Sequence, residues 1–179
     1  MLEKIKNRIA DADLVLVGIG MDFAPSKAKA EHMKRAYDLL GKWMEEKNYF
    51  VVTLMTDDLI YESTLKRERI VAPCGSQKAG NVVTNEDYDE SIYLPQWEVY
   101  TKWLQHTLHK RLCVLELGCG FQFPSVIRFP FEKVVYFNKK ASFVRVHPKL
   151  AQLTPEIKER SISVAGYPVE ILLNEKCLP

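Results

Sequence analysis

Two short glycine turns are the segments best suited to chemistry. Gly18-Ile19-Gly20 follows the apolar run Leu14 to Val17, and Gly118-Cys119-Gly120 follows Leu112 to Leu117. Glycine lacks a Cβ, so such a turn lets the backbone approach a phosphate and aim its amides at it. The same residues serve equally as tight strand-to-helix turns. Neither turn is a full dinucleotide fingerprint: Ala24 stands where a third glycine belongs, and Asp38 falls in mid-helix instead of at a strand end. A conventional dehydrogenase is therefore not expected. Cys74 ends another apolar run, and a thiolate there, beside a phosphate-binding turn, would have a lowered pKa and act as a nucleophile. A small buried thiol between Pro73 and Gly75 is the alternative. Asp57 either works in a site or caps the short helix after it, and Asn138 either binds a ribose or makes a turn.

Other candidates point away from metals. The four cysteines form no CxxC pair, which removes zinc-ribbon and thioredoxin-like spacing. His106 and His109 have no third ligand nearby in the sequence and read as surface positions of an amphipathic helix. Trp97, Tyr100 and Trp103 read as packing of that helix rather than a base-stacking platform.

These residues need a scaffold, and the apolar pattern supplies one. Leu2, Ile5 and Ile9 mark a helical face before the strand Leu14 to Val17. Met33, Tyr37, Leu40 and Met44 keep helical spacing within a helix expected over Pro25 to Lys47, followed by a strand from Phe50 to Leu54. Arg69 to Ala72 reads as a third strand, and 75–91 as a polar loop. Pro95 opens a helix expected to end near Lys110 and Arg111, before the strand Leu112 to Leu117. Lys133 to Phe137 reads as a fifth strand closed by Asn138, with Ser142 to Val146 a short extra one. Thr154 and Pro155 start a small helix, Ile162 to Val164 forms the last strand, and Tyr167 to Lys176 a closing helix. Near-continuous apolar strands between helices predict an α/β, Rossmann-like three-layer domain with a mainly parallel sheet of about six strands in the order 3-2-1-4-5-6. Strands one and four are then neighbours, and both glycine turns line one crevice.

Composition narrows the partners. The chain has 179 residues, 47% hydrophobic and 27% charged, with 25 basic and 23 acidic side chains. That describes one globular unit able to bury roughly 70% of its unfolded surface without a disulfide or metal staple. Balanced charge leaves no footprint for nucleic acid or an acidic membrane. The longest apolar stretch is too short to span a bilayer, no signal peptide is evident, and unpaired cysteines fit a cytoplasmic location.

Two resemblances refine the expectation. Val114-Leu-Glu-Leu-Gly-Cys-Gly120 looks like the first motif of class I methyltransferases, which bind S-adenosylmethionine. Gln122 and Asn138 depart from that pattern, and too little chain follows for the remaining strands, so this is the runner-up; a scaffold without a ligand is the third reading. Four segments in order resemble the sirtuins instead. Ala12 to Gly20 is similar to their first strand and Gly-Ala-Gly turn, and Val52-Thr-Leu-Met-Thr-Asp-Asp-Leu59 to their Thr-Gln-Asn-Ile-Asp-Gly-Leu segment. Pro73-Cys-Gly-Ser76 lies where they have His-Gly-Ser, Gly118 to Pro124 parallels Gly-Thr-Ser-Leu-x-Val-x-Pro, and Phe137-Asn138 matches a strand-end Ile-Asn.

The resemblance implies a domain that binds NAD or ADP-ribose. Gly18, Ile19, Gly20 and Met21 would pass the pyrophosphate, with Gly118, Cys119 and Gly120 beside the adenosine phosphate and ribose. Asn138 would hold the ribose hydroxyls, and Gly166 and Tyr167 would lie near the adenine. Met55, Thr56 and Asp57 would border the nicotinamide. It also marks departures. Cys74 replaces the histidine that takes a proton from a ribose hydroxyl, Met55 replaces an asparagine, and the zinc-binding small domain is missing. Lysine deacylation is not expected; NAD glycohydrolysis or ADP-ribosyl transfer, with Cys74 and Asp57 as the candidate catalytic residues, fits better, as does a pseudoenzyme that only binds.

Overall fold

The computed structural model describes residues 1–84 and 89–177, so the part of the expected 75–91 loop over 85–88 lies outside the described residues. Six strands form one sheet: β1 (Leu14–Ile19), β2 (Asn48–Thr53), β3 (Ile70–Val71), β4 (Leu112–Leu117), β5 (Ser142–His147) and β6 (Ser161–Ala165). Their order is β3-β2-β1-β4-β5-β6, and each neighbouring pair is parallel. This is the Rossmann-like arrangement expected from the apolar runs. β1 and β4 pair residue for residue from Leu14 opposite Leu112 to Ile19 opposite Leu117, so their two glycine turns leave the sheet side by side.

Helices cover both faces. On one, α1 (Leu2–Ala10), α2 (Ala30–Met44) and α5 (Pro168–Leu173) bury Ile5, Ile9, Met33, Tyr37, Leu40, Val169 and Leu172 against Val15, Val17, Leu115 and Val144. On the other, α3 (Leu94–Gln105) and α4 (Arg128–Phe137) pack Tyr100, Trp103, Phe131 and Val135 on Leu16, Val114 and Phe143. Strand residues alternate between the two cores because successive side chains point to opposite faces.

One element differs in kind from the sequence expectation. Lys133 to Phe137 is not a strand but the end of α4, and Ser142–His147 is the fifth strand. A parallel step from β4 to β5 needs a crossover, and the helix supplies it. Ile127, Phe131 and Val135, four residues apart, are its buried stripe, whereas Tyr136 and Phe137 are exposed. Boundaries also move: α2 runs from Ala30 to Met44, α3 ends at Gln105, the helix expected after Thr154 is a single turn, Lys158–Arg160, and the closing helix ends at Leu173.

Candidate functional site

The crevice forms where the chain leaves β1 and β4. Gly20 N–H donates to Leu117 O at 2.8 Å and Asp22 N–H to Gly118 O at 3.0 Å, which stitches the two turns together. A Cβ on Gly20 would stand 2.2 Å from Gly118 O, and one on Gly118 would stand 2.3 Å from the carbonyl carbon of Asp22. Gly118 also has φ +70°. These glycines are thus required by the meeting of two backbones. The turns lie in contact, as a shared crevice demands. After those bonds, the amides of Met21, Cys119 and Gly120 have no partner among the described residues and remain for an anion.

The expected residues divide into groups. Gly20, Met21, Gly118 and Gly120 stand at the mouth, and Gly166 and Tyr167 follow β6 on the same edge, where Gly166 N–H donates to His147 O at 3.2 Å. Gly18 is set back inside β1: its missing side chain makes room for α4, since a Cβ would meet Ile127 at 2.5 Å and Phe131 at 2.6 Å. Ile19 and Cys119 point into the cores, 0% and 1% exposed. Met55, Thr56 and Asp57 follow β2, half-buried. Thr56 accepts from the backbone and side chain of Gln77, and Asp57 Oδ1 accepts from Leu59 N at 2.9 Å, the capping bond. Burial nevertheless raises the Asp57 carboxyl above its ordinary range. Its charge faces Tyr37, whose ring stacks against Phe23 and whose buried hydroxyl has no hydrogen-bond partner among the described residues.

Two expectations need correction. Asn138 caps α4 at the opposite, N-terminal edge of the sheet, where Nδ2 donates to Thr107 O and Lys110 O, both at 3.0 Å. It ties the end of α4 to the entry of β4 and is 1% exposed, so it faces no ribose. Cys74 lines an apolar cavity of about 540 Å³ with Pro73, Val83, Tyr93, Phe123 and Val126, but burial pushes its thiol up to about 11. The lowered pKa of an activated nucleophile is the reverse of what this environment produces.

The sequence reading missed the most telling group. His147 ends β5 at the crevice and is 2% exposed. Its Nδ1 accepts from the amides of Lys149 and Leu150 at 3.1 and 2.9 Å, while Nε2 lies 3.2 Å from Asp22 Oδ2 without a hydrogen bond. Burial lowers its pKa. The sequence reading has a short extra strand over Ser142 to Val146; taking it as the fifth strand in place of Lys133 to Phe137 puts His147 at the strand end by the crevice.

Beneath it lies a buried ionic network. Arg145 grips Glu116 through Nε at 2.7 Å and Nη2 at 2.9 Å and also meets Glu132 at 2.7 Å. Arg128 touches Glu116 at 3.4 Å and donates to Cys119 O at 2.7 Å and Leu150 O at 3.1 Å. Two guanidiniums balance two carboxylates, and Arg128 joins the loop after β4 to the loop after β5. The network therefore positions both walls of the crevice and is neutral within itself.

The fold matches solved Sir2 structures. A Sir2 homologue bearing a histidine-to-asparagine substitution, in complex with ADP-ribose, superposes with a TM-score of 0.59 at 12% identity, covering 96% of this chain and 94% of that one. A Sir2 bearing a histidine-to-alanine substitution, with deacetylated p53 peptide and 3′-O-acetyl ADP-ribose, gives 0.56 at 13% identity, with 96% of each chain covered. No family model matches the chain, and no curated protein does. At these identities the likeness is one of fold, and at that level the resemblance to sirtuins read from the segments is borne out.

Proposed function

We propose that this chain, with its Sir2-like fold, binds NAD or ADP-ribose across the two glycine turns and is not a lysine deacylase. The observation that carries the reading is the set of groups left over at the switch point of the sheet. The amides of Met21, Cys119 and Gly120 have no partner among the described residues, and the Nε2 of His147 at the same mouth meets only Asp22 Oδ2, at 3.2 Å. Those donors fit a phosphorylated ribose, and the fold is shared with a Sir2 homologue complexed with ADP-ribose. Gly20, Gly118 and Gly120 would lie under the phosphates, Gly166 and Tyr167 near the base, and Met55, Thr56 and Asp57 toward the nicotinamide.

NAD, when bound, supplies a nicotinamide–ribose bond that can be cleaved. Few groups here would assist. Where the resemblance expects a histidine base stands Cys74, a thiol at neutral pH by its raised pKa. Met55 offers only a weak acceptor in place of an amide. Deacylation needs that base, whereas glycosidic cleavage can draw on binding and strain, so glycohydrolysis or ADP-ribosyl transfer is the compatible chemistry. The decisive experiment titrates the protein calorimetrically with NAD, ADP-ribose and S-adenosylmethionine and assays the NAD sample for free nicotinamide. Saturable binding of NAD or ADP-ribose supports the proposal, and nicotinamide release would add glycohydrolysis to it. Binding of S-adenosylmethionine alone, or of none, overturns it.

A further inference from the structure

We infer that the groove between α3 and α4 is a docking site for an acidic amphipathic helix of a partner protein. The groove has a volume of about 450 Å³. Leu104 and Val134 form its base over the core, and Leu108 and Phe137, 50% and 65% exposed, stand at its rim. Polar groups at one end are already satisfied: Thr107 Oγ1 donates to Leu104 O at 2.7 Å, and Asn138 Nδ2 donates to Thr107 O and Lys110 O. An occupant gains there by burying apolar side chains. The groove is separate from the crevice, since Asn138, which lines it, caps α4 at the opposite edge of the sheet.

Exposed apolar surface is concentrated on this side of the molecule. α3 and α4 expose Leu94, Val99, Phe129, Tyr136 and Phe137, whereas α1, α2 and α5 expose no large apolar side chain among the described residues. Such a one-sided distribution marks a face that meets a partner.

Charge selects the occupant. Segments 99–110 and 133–141, which border the groove, contain five lysines and two histidines but no aspartate or glutamate, in a chain whose total charge is nearly balanced. Lys133 lines the groove itself, and Lys102, Lys133, Lys139 and Lys140 make no ion pair among the described residues. The carboxylates of the two helices do not offset them: Glu132 is engaged by Arg145, and Glu98 lies a turn before Thr101. A helix with apolar residues at i, i+3 or i+4 and i+7 fills a groove between two helices, and Asp or Glu beside that stripe meets the lysines. A second copy of this chain would instead set lysines against lysines. A bilayer is flat where this site is concave, and would leave the groove unfilled.

The test selects displayed helical peptides of about 16 residues, with randomised surface positions, against the full chain. Enriched peptides should pair Leu or aromatic residues at helical spacing with flanking Asp or Glu. Phe137→Asp should weaken the tightest peptide by roughly thirtyfold or more, and Lys102→Glu with Lys133→Glu by roughly tenfold at low salt and far less at about 0.5 M salt. An unchanged thermal midpoint checks that each variant folds, and Leu108→Asp on the facing rim should act as Phe137→Asp does. Absence of enriched peptides, enrichment of basic ones, or an affinity unaltered by Phe137→Asp and Leu108→Asp overturns the inference. A dimer of the chain alone that Phe137→Asp dissociates in sedimentation, or binding to anionic phospholipid vesicles that Phe137→Asp abolishes, overturns it as well by naming another occupant. ADP-ribose titration of the same variants keeps the two sites apart: equal nucleotide affinity in Phe137→Asp and the unmodified chain supports a docking site separate from the crevice, and a nucleotide affinity lost with Phe137→Asp overturns that separation.

Discussion

The contact between the two glycine turns makes a quantitative prediction through alanine scanning of three glycines. Gly80 has φ +66° and nothing within 4 Å of a would-be Cβ, so Gly80→Ala isolates the left-handed backbone cost. That cost is about 1–2 kcal/mol, reduced by about 0.4–1 kcal/mol because alanine also restricts the unfolded chain. Gly20 needs no positive φ, but its Cβ would lie 2.2 Å from Gly118 O and 2.5 Å from Cys119 Cα, so Gly20→Ala isolates the collision. Its neighbours are backbone and cannot rotate away, which places the loss at the upper end of overpacking, about 2–3 kcal/mol. Gly118→Ala combines both terms, φ +70° and contacts of 2.3 and 2.4 Å with Asp22 and Phe23. Its expected loss is about 2–4.5 kcal/mol, a Tm lower by about 4–18 °C for a chain of this size. Urea unfolding followed by circular dichroism measures all three. The double variant Gly20→Ala/Gly118→Ala should lose less than the sum, because the first methyl already parts the turns that the second would meet. A Gly118→Ala protein no less stable than Gly80→Ala would refute the contact. It follows that substitution at Gly118 tests the fold before it tests binding, and that Gly120, whose Cβ meets only side-chain atoms at 3.3 Å and beyond, is the cleaner probe of the crevice.

Asn138→Ala strands two carbonyls and the Lys140 amide in a site 1% exposed. It should cost about 2–4 kcal/mol in urea unfolding yet leave nucleotide affinity unchanged in calorimetry. Cys74, raised to about 11, should be alkylated by iodoacetamide far more slowly than a free thiol at pH 8, with the rate climbing until pH approaches 11, as followed by peptide mass mapping. A fast reaction at neutral pH would contradict its burial. Asp57, raised by burial, is favoured in its protonated form by the fold. Its contribution is therefore present below the ordinary carboxylate pKa and lost as pH rises through the raised value. Asp57→Asn, which can keep the bond from Leu59 N–H, should be more stable than the unmodified protein at pH 7, with the difference vanishing toward pH 3 in thermal unfolding.

The sheet order was legible because it follows from local facts: each strand is an apolar run, each run ends at a breaker, and parallel strands wind in few ways. The positions of Gly20, Gly118 and Gly166 were legible as turns for the same reason. Their physical cause was not, since the groups that exclude a side chain at Gly20 and Gly118 come from the other turn, some hundred residues along the chain. The misassigned run 133–137 shows the limit of composition. Val134, Val135, Tyr136 and Phe137 favour a strand by residue type, but the stripe Ile127, Phe131 and Val135 has a period of four, and the cavity left by Gly18 in β1 accepts it. That one error displaced Asn138 onto the crevice and concealed His147.

The buried charges carry the argument further. Glu116 reads in the sequence as part of a glycine motif, and nothing in its segment announces Arg128 or Arg145, which lie 12 and 29 positions away. Only the sheet brings them together, because residues opposite one another on β4 and β5 share a face: Glu116 pairs with Arg145 in register. Two positions on, past Gly118, the same face carries His147. The alternation that buries the Glu116–Arg145 pair therefore also delivers a fixed Nε2 donor to the crevice edge. Since the network is internally neutral, Asp22 has no ion-pair partner among the described residues other than His147, 3.2 Å away. On the reading proposed above, a nucleotide's phosphates would therefore be held by the unpartnered turn amides of Met21, Cys119 and Gly120 and not by a side chain of that network.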